Sequence, residues 1–148
     1  MHIRPYEESD EDAVVALWEG CGLTRPWNDP RKDIARKLAV QREWFLVGEL
    51  EGRVVASVMA GYEGHRGWVN YLAVAPGARL RGTGRRLMAE VERLLRAAGC
   101  PKINLQIRSD NASVIEFYRR LGYGQDEVVS FGRRLIEDAP VEGGLASA

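Results

Sequence analysis

The sequence predicts a single α+β domain, and three observations carry that reading. Three strand patterns run consecutively through the middle of the chain, at Trp44–Leu50, Val54–Tyr62 and Trp68–Ala75. A long helix pattern follows, with Leu87, Val91, Leu94, Leu95 and Ala98 on one face. Two helical patterns precede the strands, and a strand pattern and a helix pattern close the chain. The order is therefore β-α-α-β-β-β-α-β-α with further strand material at the end. A doubly wound sheet would alternate strand and helix throughout.

Each element has a local reason. Ile3–Tyr6 reads as a short first strand. Ser9 is placed to cap the next helix, with Asp12 as its capping-box partner three residues on. Ala13, Val14, Leu17 and Trp18 give that helix its apolar stripe, and Gly20 and Gly22 end it. Residues 24–28 read as an ordered loop. Asp29-Pro30 starts the second helix, aspartate as cap and proline at the first helical position, with Ile34 and Leu38 on its apolar side.

The first two central strands are joined by Glu51-Gly52-Arg53, a hairpin-length connection. Gly61, Gly64 and Gly67 mark the next turn, and Pro76-Gly77 breaks the third strand. The long helix is expected over Thr83–Ala98, stopped by Gly99. Ile103, Leu105 and Ile107 alternate as a strand. Asn111 caps a last helix carrying Val114, Ile115, Phe117, Tyr118 and Leu121, closed by Gly122. Val128 to Ile136 reads as final strand material. The domain is expected to span residues 1–137, with 138–148 a flexible tail.

Composition narrows the function. A chain of 148 residues with 45% hydrophobic content suits one core that needs neither disulfide nor metal. Lysine plus arginine and aspartate plus glutamate both number 21, which argues against a general nucleic-acid binder. No metal-ligand spacing surrounds Cys21 and Cys100, so no metal site is expected, and both are read as reduced thiols. Met1–Asp10 lacks the apolar core of a signal peptide, and no apolar run approaches a membrane span. A cytoplasmic protein without a membrane partner is expected.

The segment Arg79-Leu80-Arg81-Gly82-Thr83-Gly84-Arg85-Arg86 carries the most chemistry. It lies between a strand and a helix, where unpartnered N–H groups and the positive end of the helix dipole favour an anion. Four arginines in eight residues add charge. A Walker loop is excluded because Thr83-Gly84 follows Gly82 where Lys-Ser/Thr is required. A dinucleotide fingerprint is disfavoured because Leu87 stands at the place of its third glycine.

Arg79-x-x-Gly82-x-Gly84, after Leu72-Ala73-Val74 and before an amphipathic helix, resembles the acetyl-CoA motif of the GNAT family of N-acetyltransferases. A second block, Asn111-Ala112-Ser113-x-x-x-Phe117-Tyr118-x-x-Leu121-Gly122-Tyr123, looks like the family's later helix motif. The resemblance covers residues 2–136. Within the family, Cys21-x-Leu23-x-Arg25-Pro26-Trp27-Asn28-Asp29-Pro30 and Gly61-Tyr62-x-Gly64-His65-Arg66-Gly67 look like the small bacterial YpeA-type enzymes. One departure is Leu80, where many members carry glycine.

The resemblance implies a mixed, mostly antiparallel sheet with splayed central strands and flanking helices. It implies acetyl-CoA as co-substrate and transfer of its acetyl group to a primary amine of a small molecule or peptide. A non-catalytic acyl-CoA sensor or interaction module is the alternative. Backbone N–H groups around Arg81, Gly82, Thr83, Gly84 and Arg85 would cradle the pyrophosphate, with Arg79 and Arg85 as side-chain contacts. Leu72, Ala73 and Val74 would pair with the pantetheine arm, and N–H groups there would face the thioester oxygen. Tyr118 matches the family's general acid, and Asn111 a position that contacts the CoA arm.

The base is open. Gln106 stands where ribosomal-protein acetyltransferases of the family carry glutamate, which argues against their mechanism here. Glu49, Glu63, Asn70 through water, and His65 are candidates, and Trp27 and Asn28 lie in the region that forms the family's acceptor wall. Homodimers are frequent in the family, and no residue pattern decides for one.

Overall fold

Five strands form one open sheet in sequence order: β1 (His2–Pro5), β2 (Phe45–Leu50), β3 (Arg53–Tyr62), β4 (Gly67–Val74) and β5 (Ile103–Leu105). The first four pair antiparallel, and β4 pairs parallel with β5. The structure, a computed structural model, describes residues 1–138.

Strand periodicity divides the core in two. Phe45, Val47, Met59 and Ala73 face one way and pack against α1 (Glu11–Gly20) and α2 (Pro30–Leu38), where Val14, Trp18 and Ile34 are buried. Leu46, Val58, Ala60 and Val69 face the other way and pack against α3 (Thr83–Ala97) and α4 (Ala112–Arg120). The sheet therefore has an α1–α2 side and an α3–α4 side. Helix stops fall where glycine was expected to supply them: Gly22, Gly99 and Gly122 all have positive φ. Asp29 caps α2 by accepting from the N–H of Arg31 and Lys32.

Four expectations need correction. Ser9 caps nothing: Glu8–Asp10 form a short 3-10 turn ahead of α1. Asp10 stands at the N-cap position of α1, and its carboxylate closes a capping box with Glu7 on the preceding turn. It accepts the Glu7 N–H at 2.8 Å and the Arg4 guanidinium at 2.8 and 2.9 Å, and Arg4 also reaches Glu49 at 3.0 Å. The Arg4 hydrogen bond lowers the Asp10 carboxyl below its ordinary range. On α1 the buried face uses Val15 in place of Ala13, which is exposed.

The strand at Ile103 ends at Leu105, not Ile107, because its ladder with β4 stops there. Val128–Ile136 forms no strand. Its β-branched composition supplies propensity but no ladder partner, and Val128, Phe131 and Leu135 stay 78%, 93% and 88% exposed. Side chains tie the segment down instead. Lys102 and Asn104 bond Asp126, and Gln106 bonds Ser130. Asp138 is held too: its buried carboxylate accepts from Arg36, Arg134 and the Asp29 N–H. Residues 139–148, the rest of the expected tail, lie outside the described residues.

Candidate active site

The site is built where the sheet comes apart. Gly67–Val69 of β4 pair with Ile103–Leu105 of β5, and the ladder goes no further. β4 continues to Val74, so its outer edge is unpaired from Asn70 onward. The expected splay thus begins one residue before Tyr71. At the same place β4 bulges. Met59 pairs with Asn70 and Ser57 with Ala73, so Tyr71 and Leu72 together oppose Val58.

Tyr71 sits at φ 53°, a left-handed conformation that costs a non-glycine residue about 1–2 kcal/mol. Its surroundings hold it there. The Trp18 ring stacks on the Tyr71 ring at 3.8 Å, and the Tyr71 hydroxyl donates to Asp33 Oδ2 at 2.7 Å. Ser57 Oγ donates to the Tyr71 carbonyl at 3.0 Å and accepts from Trp18 Nε1 at 2.8 Å. Burial, then the Asp33 contact, raises the Tyr71 phenol, which stays protonated. None of these four residues stood among the sequence-level site candidates. Their only signal was a serine and a tryptophan inside apolar patterns.

Beyond β4 the chain turns through Pro76–Ala78 into α3. Gly82 is the N-cap at φ 74°, and Thr83 Oγ1 donates to the Ala78 carbonyl at 2.9 Å. The first bond of the helix is Arg86 N–H to the Gly82 carbonyl. The N–H groups of Thr83, Gly84 and Arg85 therefore have no intrahelical acceptor. No side chain caps them, no acidic residue stands in the first turn, and Arg81 and Arg85 are exposed beside them. This geometry suits a phosphate group.

Arg79 lies just before this helix start. It folds back so that Nε donates to the Val74 carbonyl at 2.9 Å, where Cys21 Sγ also donates at 3.4 Å. In this arrangement it anchors the end of β4.

Leu80 explains the departure from glycine seen in the sequence. It adopts φ 63° with its side chain fully exposed, so the turn keeps a glycine-like backbone at leucine's cost. Relief of about 1–2 kcal/mol of left-handed strain exceeds the roughly 0.5–1 kcal/mol that glycine's unfolded-state freedom costs. Leu80→Gly should raise the melting temperature by about 1–3 °C in a thermal scan. A lowered melting temperature would contradict the strain.

Gly84 serves packing. A Cβ there would lie 2.9 Å from Phe117 Cζ and 3.8 Å from Val74 Cγ2. The start of α3, the end of β4 and the middle of α4 thus meet at this glycine. Asn111 caps α4 by accepting the Val114 N–H at 3.4 Å. Tyr118 follows Phe117 with its ring buried, edge-on to Phe117 at 5.0 Å and to Tyr123 at 5.5 Å. Its hydroxyl bonds to no described residue, yet no buried side-chain oxygen or nitrogen among them lacks a partner. The hydroxyl oxygen therefore reaches accessible space. Burial raises this phenol well above its ordinary range, so it is protonated at neutral pH.

The base candidates are scattered. Glu63 accepts from the His65 and Arg66 N–H groups in the β3–β4 turn, and those bonds lower its carboxyl and weaken it as a base. His65 lies exposed on the same turn, at the joined end of β4, which four strand residues set roughly 13 Å from Tyr71. Glu49 is held by Arg4 on β2. Asn70 alone among them stands at the split, exposed. Trp27 is 52% exposed with the Arg108 guanidinium 5.9 Å from its ring, so the α1–α2 loop meets the chain leaving β5. Asn28 accepts from Arg134.

Comparison with known proteins follows this geometry. The model of the Acetyltransferase (GNAT) family matches residues 9–123. An acetyltransferase of Sodalis glossinidius is 51% identical over 139 residues, covering 93% of this chain and 98% of that protein. One of Pectobacterium atrosepticum is 49% identical over 138 residues, with the same coverage. Among solved structures, AAC(6')-Iy in complex with the bisubstrate analogue CoA-S-monomethyl-acetylneamine superimposes with a TM-score of 0.74. It is 18% identical and covers 91% of this chain and 98% of its own, a likeness of fold.

Proposed function

This chain belongs to the Acetyltransferase (GNAT) family, and on that premise we propose that it moves acetyl from acetyl-CoA to a primary amine at the β4–β5 split. The observation that carries the reading is the meeting at Gly84 of an uncapped helix start, the free end of β4 and the helix that holds Tyr118. The residues present fit a CoA thioester. N–H groups of Thr83, Gly84 and Arg85 point where the pyrophosphate would lie, and Arg81 and Arg85 add positive charge. The unpaired edge at Leu72, Ala73 and Val74 takes the pantetheine arm as an added strand. The Val74 carbonyl is already engaged and Ala73 is laddered to Ser57, so Leu72 and the Val74 N–H bear most of that pairing.

The chemistry then divides among this chain's own groups. A Leu72 N–H stabilises negative charge developing on the thioester oxygen. The amine nitrogen attacks the carbonyl carbon, a C–N bond forms and the C–S bond breaks. Tyr118 gives its proton to the departing sulfur, and the amine's proton passes to water at the split beside Asn70. Asn111 borders the CoA arm. Trp27 and Arg108 wall the acceptor's approach, a small-molecule or peptide amine.

Incubation with acetyl-CoA and a panel of amines, followed by free-thiol detection, tests this. Thiol release should require an amine and match the amide formed. Tight acetyl-CoA binding without amine-dependent thiol release would favour a sensor module instead.

A further inference from the structure

Ser57 is a buried, fully enclosed hydroxyl in the middle of an apolar strand, with Ala56, Val58 and Met59 beside it in the chain. A hydroxyl there costs free energy unless both its donor and its acceptor roles are used. Both are used. It accepts from Trp18 Nε1 at 2.8 Å and donates to the Tyr71 carbonyl at 3.0 Å. Trp18 is itself fully buried and stacks on the Tyr71 ring with an interplanar angle of 9°. One indole therefore fixes Tyr71 twice, by its face and, through Ser57, by its N–H.

The peptide bond carries the consequence. No cis bond occurs among the described residues, so the carbonyl of Tyr71 and the N–H of Leu72 point in opposite directions across one plane. Ser57 draws the carbonyl toward β3 and the α1–α2 side. The Leu72 N–H is thereby turned away from β3, toward the edge that β5 has left. The same two residues are the extra pair of the bulge, and Tyr71 bears its positive φ. A regular edge strand would also present outward N–H groups; the bulge fixes that the Tyr71–Leu72 peptide is the one doing so at the split.

We propose that Trp18 and Ser57 are positioning residues, a buried relay that locks the Tyr71–Leu72 peptide so that the Leu72 N–H is preset to polarise the acetyl carbonyl. This rests on the transferase reading above and names the device behind its oxyanion donor. Preset donors work because no reorganisation is needed as charge develops. The relay supplies that rigidity from outside the cleft, touching neither substrate.

The test reads the carbonyl directly. The infrared stretch of 13C-labelled acetyl-CoA should shift to lower frequency on binding the wild-type protein. In Ser57→Ala that shift should vanish, and kcat with an accepted amine should fall about 10²-fold. Acetyl-CoA affinity should stay within about threefold of wild type, because the pyrophosphate and pantetheine contacts are untouched. Ser57→Cys, a weaker donor of similar shape, should fall between the two. A shift that persists in Ser57→Ala, or a wild-type complex without one, overturns the relay. So does a Ser57→Ala variant in which affinity, melting temperature and rate all fall together. A wild-type protein that binds no acetyl-CoA would instead sink the transferase reading itself.

Discussion

Tyr118→Phe should slow acetyl transfer by about 10²- to 10⁴-fold in kcat while leaving acetyl-CoA affinity nearly unchanged. The substitution removes one oxygen from a ring whose packing against Phe117 and Tyr123 is otherwise kept. The pH profile separates roles. Burial raises the Tyr118 phenol above its ordinary value near 10, so it holds its proton throughout the working range. As an acid it then contributes no falling limb below about pH 10. The wild-type rate should climb with pH as the amine deprotonates; only about one lysine-type amine in 10³ is neutral at pH 7. The Phe variant should show the same rising limb, displaced downward. A wild-type rate that rose only with phenolate formation would make Tyr118 a base, and an unchanged rate at every pH would remove it from the mechanism.

Gly84→Ala carries the second large effect. The added methyl would sit 2.9 Å from the Phe117 ring, so α4 must move away from α3. Overpacking costs about 1–3 kcal/mol, which the better helix propensity of alanine offsets by about 1 kcal/mol. The melting temperature should fall by no more than about 8 °C. Activity should suffer far more, because Tyr118 is the next residue along α4 and a displacement of about 1 Å costs roughly 10²-fold. A loss confined to acetyl-CoA affinity would mean that Gly84 matters only for approach of the phosphate, the role its place in the motif implied.

What the sequence could tell and what it could not follow from the range of the forces involved. Asp29-Pro30, Asn111, Gly99 and Gly122 act within a turn of their own position, so each boundary they set was readable. The turn proposed to hold the pyrophosphate was readable for the same reason: its glycines, arginines and helix start are contiguous. The bulge at Tyr71 was not. Residues 68–75 read as a plain strand, and the contacts that hold Tyr71 come from Trp18 and Ser57, which are its neighbours only after folding. Asp33, which holds the Tyr71 hydroxyl, is one of several charged residues on α2 and carries no motif that singles it out. The motif position of Arg79 suggests phosphate, and its fold position adds a bond to the Val74 carbonyl that spacing does not show. Val128–Ile136 shows that strand propensity without a ladder partner makes no strand.

A crystal structure with acetyl-CoA tests the central claim most directly. The pyrophosphate should accept from the Thr83, Gly84 and Arg85 N–H groups at about 2.7–3.2 Å, with the thioester in the β4–β5 split. The Leu72 N–H should then reach the acetyl oxygen, and the Tyr118 hydroxyl should lie within hydrogen-bonding range of the sulfur. A pyrophosphate away from the start of α3, or a thioester outside the split with Tyr118 facing elsewhere, would contradict the account.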